Sequence, residues 1–342
     1  MTDIHSELKN LTCPIVLYGT GDGADRLLDD LERLGVKADG VFASDGFVRK
    51  RKFRGFEVES FDALFSRFPD MTVLMCFGSD RTQVRENMKR ISSKVPLLFP
   101  EYPVYGDTVF DGAFANKHCK ELQFVRSRLA DGDSVKTFDG IVNFRLCGEP
   151  KYLFDCETEA EPTFELPKDV VFADFGAYNG DTVLDFVQKN NSYSKIYAVE
   201  PDAKNFEKLR KNTSEIKNIE YVNAAVGDKC GQIFATAKKG RGTHVSSDGT
   251  KPTACITADS LFEGENRPIF IKADVEGNEG AFIRGASEVI RKKRPLMRIA
   301  CYHRSEDLFA IPTAVLSLRD DYRLFIRHFP AIPSWNTEYF FI

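Results

Sequence analysis

The sequence predicts an α/β protein made of two doubly wound units, each a mostly parallel sheet with helices on both faces. Three observations carry that reading. Short apolar runs closed by glycine recur ahead of helical patterns, at residues 14–18 before Gly19-Thr-Gly21-Asp-Gly23 and at 170–175 before Gly176-Ala-Tyr-Asn-Gly180. Runs that are apolar at consecutive positions suit parallel strands buried on both faces, whereas a half-exposed strand would alternate. A length of 342 residues leaves room for two domains. Finally, the residues best suited to chemistry, Asp174, Glu200, Asn223, Asp274, Glu276 and His303, all fall at the ends of expected strands. Open parallel sheets bind their ligands outside the carboxyl ends of the strands.

Composition narrows the class. Hydrophobic residues make up 42% and charged residues 29% of the chain, the balance of an ordinary globular protein. A formal net charge of −4 argues against a general nucleic-acid binder. No apolar run approaches the roughly 20 residues that span a bilayer. The start, Met1-Thr-Asp-Ile-His-Ser-Glu7, lacks the basic segment and apolar core of a signal peptide. Eight scattered cysteines form no C-x-x-C pair, so they read as reduced thiols and give no zinc pattern. The expectation is a cytoplasmic protein with a small-molecule or carbohydrate substrate and no nucleic-acid or membrane partner; no metal ligands are named, a divalent metal being neither required nor excluded.

In chain order, residues 1–100 form the smaller, Rossmann-like unit. The strand at 14–18 leads through Gly19, Gly21 and Gly23 into a helix with Leu27, Leu28, Leu31 and Leu34 on one stripe, ended by Gly35. A second strand at 38–43 precedes Asp45, Val58 precedes a helix at 61–68, and a third apolar strand runs over 73–77. The glycine loop is either a nucleotide or nucleotide-sugar site, with Asp45 as a ribose contact, or simply a tight strand-to-helix turn. The basic run Arg49-Lys-Arg-Lys-Phe-Arg54 reads as a solvated loop, with a phosphorylated sugar as the alternative.

Residues 101–168 form a helical connector. A helix is expected over 113–129, ended by Asp131-Gly-Asp, and another over 134–146. They are expected to pack between the domains or cap the substrate cleft. The acidic stretch 155–167 reads as a linker. In the final domain, 169–342, strands are expected at 170–175, 195–199, 219–222, 231–237, 269–273, 296–301, 323–329 and 338–342. Helices begin at Asp181 and cover about 205–212 and 306–319. The polar segment 238–253, which contains His244, reads as a lid or as a surface loop. His328 reads as a core histidine, and Arg291-Lys-Lys-Arg294 as a solvated helix end.

The glycine turn at 176–180 sits between a strand and a helix that starts with Asp181 and Thr182, a geometry that offers backbone N–H groups to a ligand. Glu200-Pro201 ends the next strand, 20 residues after Gly180, where an acid receives the two hydroxyls of a ribose. The spacing G-x-x-x-G lacks the middle and late glycines of a pyrophosphate loop. A nucleoside without phosphate fits better, and S-adenosylmethionine is such a ligand.

Asp174-Phe-Gly-Ala-Tyr-Asn-Gly-Asp181, Val199-Glu-Pro201, Asn223-Ala-Ala-Val-Gly227 and Lys272-Ala-Asp-Val-Glu-Gly277 follow one another in an order that resembles the FkbM family of S-adenosylmethionine-dependent methyltransferases. The resemblance runs from about residue 165 onward. It implies a class I methyltransferase fold, a mostly parallel seven-stranded sheet with an antiparallel last strand. It also implies a cofactor site at Asp174, Gly176, Ala177, Tyr178, Asn179, Gly180, Asp181, Thr182, Glu200, Pro201, Asn223, Ala224 and Ala225. Tyr178 stands where a common methyltransferase loop has its third glycine, and can close over the cofactor. Asp174 is expected to meet the methionine amino group directly or through water, Glu200 the ribose, and Asn223, Ala224 and Ala225 the adenine.

Methyl transfer to a hydroxyl needs an aligned oxygen and a base. The candidates are Asp274, Glu276 and His303, with His244 a weaker one. The expected activity is O-methylation of a sugar, nucleotide-sugar or glycan. Two rivals are a nicotinamide-dependent nucleotide-sugar oxidoreductase working through the 19–23 loop, and a non-catalytic cofactor-binding module.

Overall fold

The computed structural model describes residues 3–44, 52–190, 192–237, 243–245 and 251–342. Asp45, residues 49–51 of the basic run, most of the polar segment at 238–253 and the side chain of His244 lie outside the described residues.

The first sheet contains β1 (Ile15–Tyr18), β2 (Gly40–Phe42), β3 (Lys52–Phe53), β4 (Phe56–Glu59), β5 (Thr72–Met75) and β6 (Leu97–Leu98). Its order is β3-β4-β2-β1-β5-β6, and every pairing except β3 with β4 is parallel. Strand order therefore reverses between β1 and β5. The helix Asp22–Arg33 buries Ala24, Leu27 and Leu31 against this sheet. Its stripe stops there: Leu34 is 42% exposed, and Gly35 follows with φ +70°, the left-handed conformation that ends helices.

The connector differs from expectation in three places. The helix expected over 113–129 is two helices, Gly112–Lys117 and Cys119–Arg128. They break at His118, whose ring stacks 4.7 Å from Phe309, a contact made only in the tertiary fold. Asp131 begins the next helix rather than ending the last: it accepts from the Ser134 amide and caps Gly132–Cys147. A short helix, Lys151–Cys156, stands where a linker was expected to begin.

The second sheet starts with β7 (Val171–Phe175), β8 (Lys195–Val199) and β9 (Ile219–Val222). A small four-stranded sheet follows: β10 (Ala225–Val226), β11 (Gly231–Ala237), β12 (Thr243–Val245) and β13 (Lys251–Ile256). Of these, β11 was legible in the sequence. β10 pairs with β13, about 30 residues on, while β12 pairs with its chain neighbour β11, and β12 and β13 replace part of the expected polar loop. The main sheet resumes with β14 (Ile269–Ala273), β15 (Leu296–Ala300), β16 (Leu324–His328) and β17 (Thr337–Phe341). Its order is β16-β17-β15-β14-β7-β8-β9, with β17 antiparallel to both neighbours. Of three short helices between these strands, Ser287–Lys293 ends at the basic run read as a helix end, whereas Ala258–Leu261 and Glu279–Gly285 were not placed by the sequence reading.

All five residues of β7 and of β14 are buried. Alternate side chains feed opposite faces of the sheet. Val171, Ala173 and Phe175 join one core, while Val170 and Phe172 join another with Phe186, Ile196 and Phe270. Each fully buried aromatic of this kind contributes roughly 1.5–3 kcal/mol. The larger core continues from Val16 and Met75 through Phe99 and Phe144 to Ile326 and Tyr339, so the two sheets and the connector share one apolar interior. Backbone bridges at Ser79–Ile332, Leu129–Leu324 and Glu157–His328 tie the same parts together. Among the described residues, no helix is long and apolar enough to cross a membrane.

Candidate active site

The second sheet reverses strand order between β7 and β14, and a cavity of about 410 Å³ opens at their carboxyl ends. Gly176, the first residue after β7, has φ +84°, and a Cβ there would lie 1.9 Å from the carbonyl oxygen of Asp274. Only glycine lets the two strand ends approach so closely. Tyr178 follows with φ +46° and Gly180 with φ +90°. Gly180 donates to the Ala177 carbonyl at 2.8 Å, which closes the turn and starts the helix Asp181–Lys189.

Glu200 ends β8 on the opposite wall. Its Oε2 accepts from the Tyr178 amide at 2.9 Å and its Oε1 from the Asp202 amide at 2.8 Å. Burial pushes its carboxyl up to about 7, with those two amides pulling the other way. Each oxygen keeps a second lone pair, and the residue lines the cavity with Pro201, Ala224 and Ala225. Asn223 supports the wall from behind: its Nδ2 donates to the Glu200 carbonyl at 2.8 Å.

On the β14 side, Asp274 and Glu276 line the cavity. Asp274 Oδ2 accepts from the Tyr302 hydroxyl at 3.1 Å, and Glu276 Oε2 from the Tyr105 hydroxyl at 2.7 Å. Glu276 has φ +54°, a conformation costing on the order of 1–3 kcal/mol for a non-glycine residue. His303 lies beneath them, 1% exposed and outside the cavity wall. Its Nδ1 donates to Glu279 Oε1 at 2.9 Å, and its Nε2 lies 3.4 Å from Asp274 Oδ1 and 3.8 Å from Glu276 Oε2. Burial alone would lower its pKa, but Glu279 first and then Asp274 and Glu276 raise it to about 10. Burial and the Glu279 carboxylate push the Asp307 pKa up to about 7.

Most of the sequence-named positions therefore meet. Gly176, Tyr178, Asp181, Thr182, Glu200, Pro201, Ala224, Ala225, Asp274 and Glu276 share the cavity. Five cofactor candidates do not reach it. Ala177, Asn179 and Gly180 shape the turn, and Asn223 braces Glu200. Asp174 is wholly buried below the floor, its Oδ1 3.2 Å from Lys272 Nζ. That pair is an ion contact without hydrogen-bond alignment, and burial raises the Asp174 pKa. Asp174, expected to meet a ligand amine directly or through water, contacts the internal amine of Lys272. His303 departs from its reading as a base: a buried imidazolium braced by three carboxylates is not poised to take a proton at neutral pH.

Sequence reasoning missed Lys272, Arg298, Asn336 and Glu338, all in the cavity wall. Arg298 is paired with Glu338 and, at 2.9 Å, with Glu161. A signal was present: Lys272 and Arg298 interrupt otherwise apolar strands, and a charge in a buried strand requires a partner. His328, read as a core histidine, is fully buried and bonded to Thr337 Oγ1 at 2.9 Å.

In the first unit, Gly21 and Gly23 line a second cavity, of about 790 Å³, and Gly19 does not. Gly19 has φ +128° and packs against Phe77, and a Cβ on Gly23 would lie 2.0 Å from the Cys76 carbonyl oxygen.

Comparison with known proteins agrees with this architecture. The methyltransferase FkbM domain profile matches residues 174–328. The crystal structure of methyltransferase FkbM from Methylobacillus flagellatus KT overlays with a TM-score of 0.73 at 22% identity, covering 96% of this chain and 90% of that one. Precorrin-6y C5,15-methyltransferase from Geobacter metallireducens GS-15 overlays with a TM-score of 0.32 at 14% identity, covering 52% and 80%. Aeropyrum pernix fibrillarin, solved with S-adenosyl-L-methionine bound, gives 0.33 at 13% identity, covering 53% and 70%. No curated protein matches the chain. The seven-stranded order, the glycine turn at the β7–β14 switch and the matched profile converge on one conclusion: residues 174–328 are an FkbM methyltransferase domain.

Proposed function

We propose that the chain is an S-adenosylmethionine-dependent O-methyltransferase acting on a hydroxyl of a sugar, nucleotide-sugar or glycan. Methyl transfer is what the domain implies. The observation that carries the cofactor reading is Glu200, a buried carboxylate at the second strand end that lines a 410 Å³ cavity and accepts only one amide on each oxygen. A ribose diol satisfies such an acceptor, and the small side chains of Ala224 and Ala225 leave room for a flat base. Thr182 and the first turn of Asp181–Lys189 lie where an amino-acid tail would end. The cofactor would supply a methyl group on a sulfonium, already activated for displacement.

The chain's own residues then have two tasks. One is to hold the acceptor oxygen in line, which supplies on the order of 7–11 kcal/mol. The other is to take its proton as the new C–O bond forms, worth typically ~10²–10⁴ in rate. Asp274 is held from both sides, by Tyr302 and His303, which suits orientation of a substrate hydroxyl. Among the described residues, no hydrogen bond reaches Glu276 Oε1, so this oxygen is assigned the proton.

Calorimetric titration with S-adenosylhomocysteine tests the cofactor reading. Micromolar binding by the wild type, lost in Glu200→Ala, supports it. Absence of binding by folded wild-type protein overturns it. Labelled methyl donor with a panel of sugars and nucleotide-sugars then tests the acceptor class.

A further inference from the structure

The 790 Å³ cavity of the first unit is unused by the reaction above. It opens between the turn after β1 and the turn after β5, where the strand order of that sheet reverses. That is the crevice in which open parallel sheets hold nucleotides. Asp22 and Arg26 contribute the charged groups of its wall, and Phe77, Tyr102 and Trp335 its aromatic faces. The Arg26 guanidinium lies 4.5 Å from the Tyr102 ring centroid. The Tyr102 hydroxyl is buried with no hydrogen-bond partner among the described residues, and burial keeps it protonated by raising its pKa to about 12. A neutral donor without an acceptor, beside a guanidinium, in an aromatic-walled crevice, calls for a ligand with both a flat ring and anionic oxygens.

One chain segment lines both cavities, and a second links the first-unit cavity to a residue of the other. Trp335 lines the first-unit cavity and its neighbour Asn336 the 410 Å³ cavity. Val104 lines the first-unit cavity, while the next residue, Tyr105, holds Glu276 through its hydroxyl. The 332–335 segment is itself fixed to the first unit and to the start of the connector. Ile332 exchanges backbone hydrogen bonds with Ser79, and Ser334 donates to Glu101 Oε1 at 2.6 Å.

We propose that the first-unit cavity binds the nucleoside diphosphate of a nucleotide-linked sugar, whose sugar is the methyl acceptor. The base lies among Tyr102, Phe77 and Trp335, the diphosphate meets Arg26 and the Tyr102 hydroxyl, and Asp22 takes hydroxyl groups. The second half of this assignment, the sugar as acceptor, rests on the methyltransferase reading.

Trp335 is the sole tryptophan of the chain, so its fluorescence reports this cavity directly. The experiment titrates wild-type protein with ADP, GDP, UDP and CDP, following fluorescence, with calorimetry in parallel. Gly21→Val and Arg26→Ala are the variants. A Cβ on Gly21 meets nothing within 4 Å and the backbone there is extended, so valine fills the cavity without backbone strain. The expected result is saturable quenching by at least one nucleoside diphosphate at micromolar concentration. Each variant should weaken it tenfold or more, with S-adenosylhomocysteine affinity unchanged. With labelled methyl donor, Gly21→Val should raise KM for the nucleotide-sugar tenfold or more with kcat within about threefold. No response to any nucleoside diphosphate, or a response to NAD alone, overturns the proposal. Nucleotide binding in a protein that does not bind S-adenosylhomocysteine would uphold the nucleotide site and overturn the methyltransferase reading instead.

Discussion

His303 donates through Nδ1 to Glu279 Oε1 at 2.9 Å, and both side chains are buried. The imidazolium is a charged brace under the carboxylates of Asp274 and Glu276. Its pKa, raised from 6.5 to about 10, makes its stabilising contribution full below pH 6.5 and fading as pH climbs through about 10. Chemical denaturation of the wild type should therefore show falling stability between pH 7 and 10, and His303→Gln should lose that slope. His303→Ala leaves Glu279 buried without its partner and should cost about 3–5 kcal/mol. An imidazole of His303 seen by NMR to titrate near pH 6.5 would refute the charged brace.

Glu200 titrates in the opposite sense. Its carboxyl is raised from 4.5 to about 7, so the folded protein holds a proton that the unfolded chain has released. Stability should fall as pH rises from about 4.5 to 7, and Glu200→Gln should flatten that window. Cofactor binding favours the ionised form, which accepts both ribose hydroxyls. S-adenosylhomocysteine affinity should thus rise by roughly tenfold from pH 6 to pH 8, with proton release measurable in buffers of different ionisation enthalpy.

Lys272 and Asp174 form a pair below the cavity floor, 3.2 Å apart and nearly inaccessible. Lys272→Met should cost about 3–5 kcal/mol in urea unfolding, because the carboxylate stays buried alone. Adding Asp174→Leu should recover a large part of that loss. A double variant no more stable than the single one would show that Asp174 is held by other groups.

Gly176 stands where β7 and β14 nearly touch. Gly176→Ala places a Cβ 1.9 Å from the Asp274 carbonyl oxygen at φ +84°. A loss of more than ~2 kcal/mol is expected, by thermal or urea unfolding. Gly21→Ala, with open space and φ −112°, should change stability by less than ~1 kcal/mol.

Glu276→Gln keeps the shape of the acceptor side and removes the base. A drop in kcat of roughly 10²–10⁴ is expected, with S-adenosylhomocysteine affinity within about threefold of wild type. Unchanged kcat would move the proton to Asp274, and the same measurement on Asp274→Asn would decide it.

The main strands were legible in the sequence. β8, β9 and β14 match the expected bounds, because consecutive buried apolar residues between turn signals leave little choice of conformation. The glycine turn was equally legible, since Gly176 and Gly180 adopt conformations that other residues resist. Glu200 could be placed for the same reason, as an acid at a strand end. The helix break at His118 and the pairing of β10 with β13 were not. Each depends on a partner far away in sequence, such as Phe309 for His118.

By itself, then, the sequence determined the layered α/β architecture and the chain positions at which ligand-facing residues emerge, because local periodicity and glycine conformation act over a few residues. Tertiary structure alone decided which charges face the cavity and which are spent on one another. Asp174 and His303 sit at strand ends just as Glu200 and Asp274 do. Lys272 and Glu279 neutralise them in the interior, and a buried charge goes to whichever opposite charge the packing brings within about 3 Å.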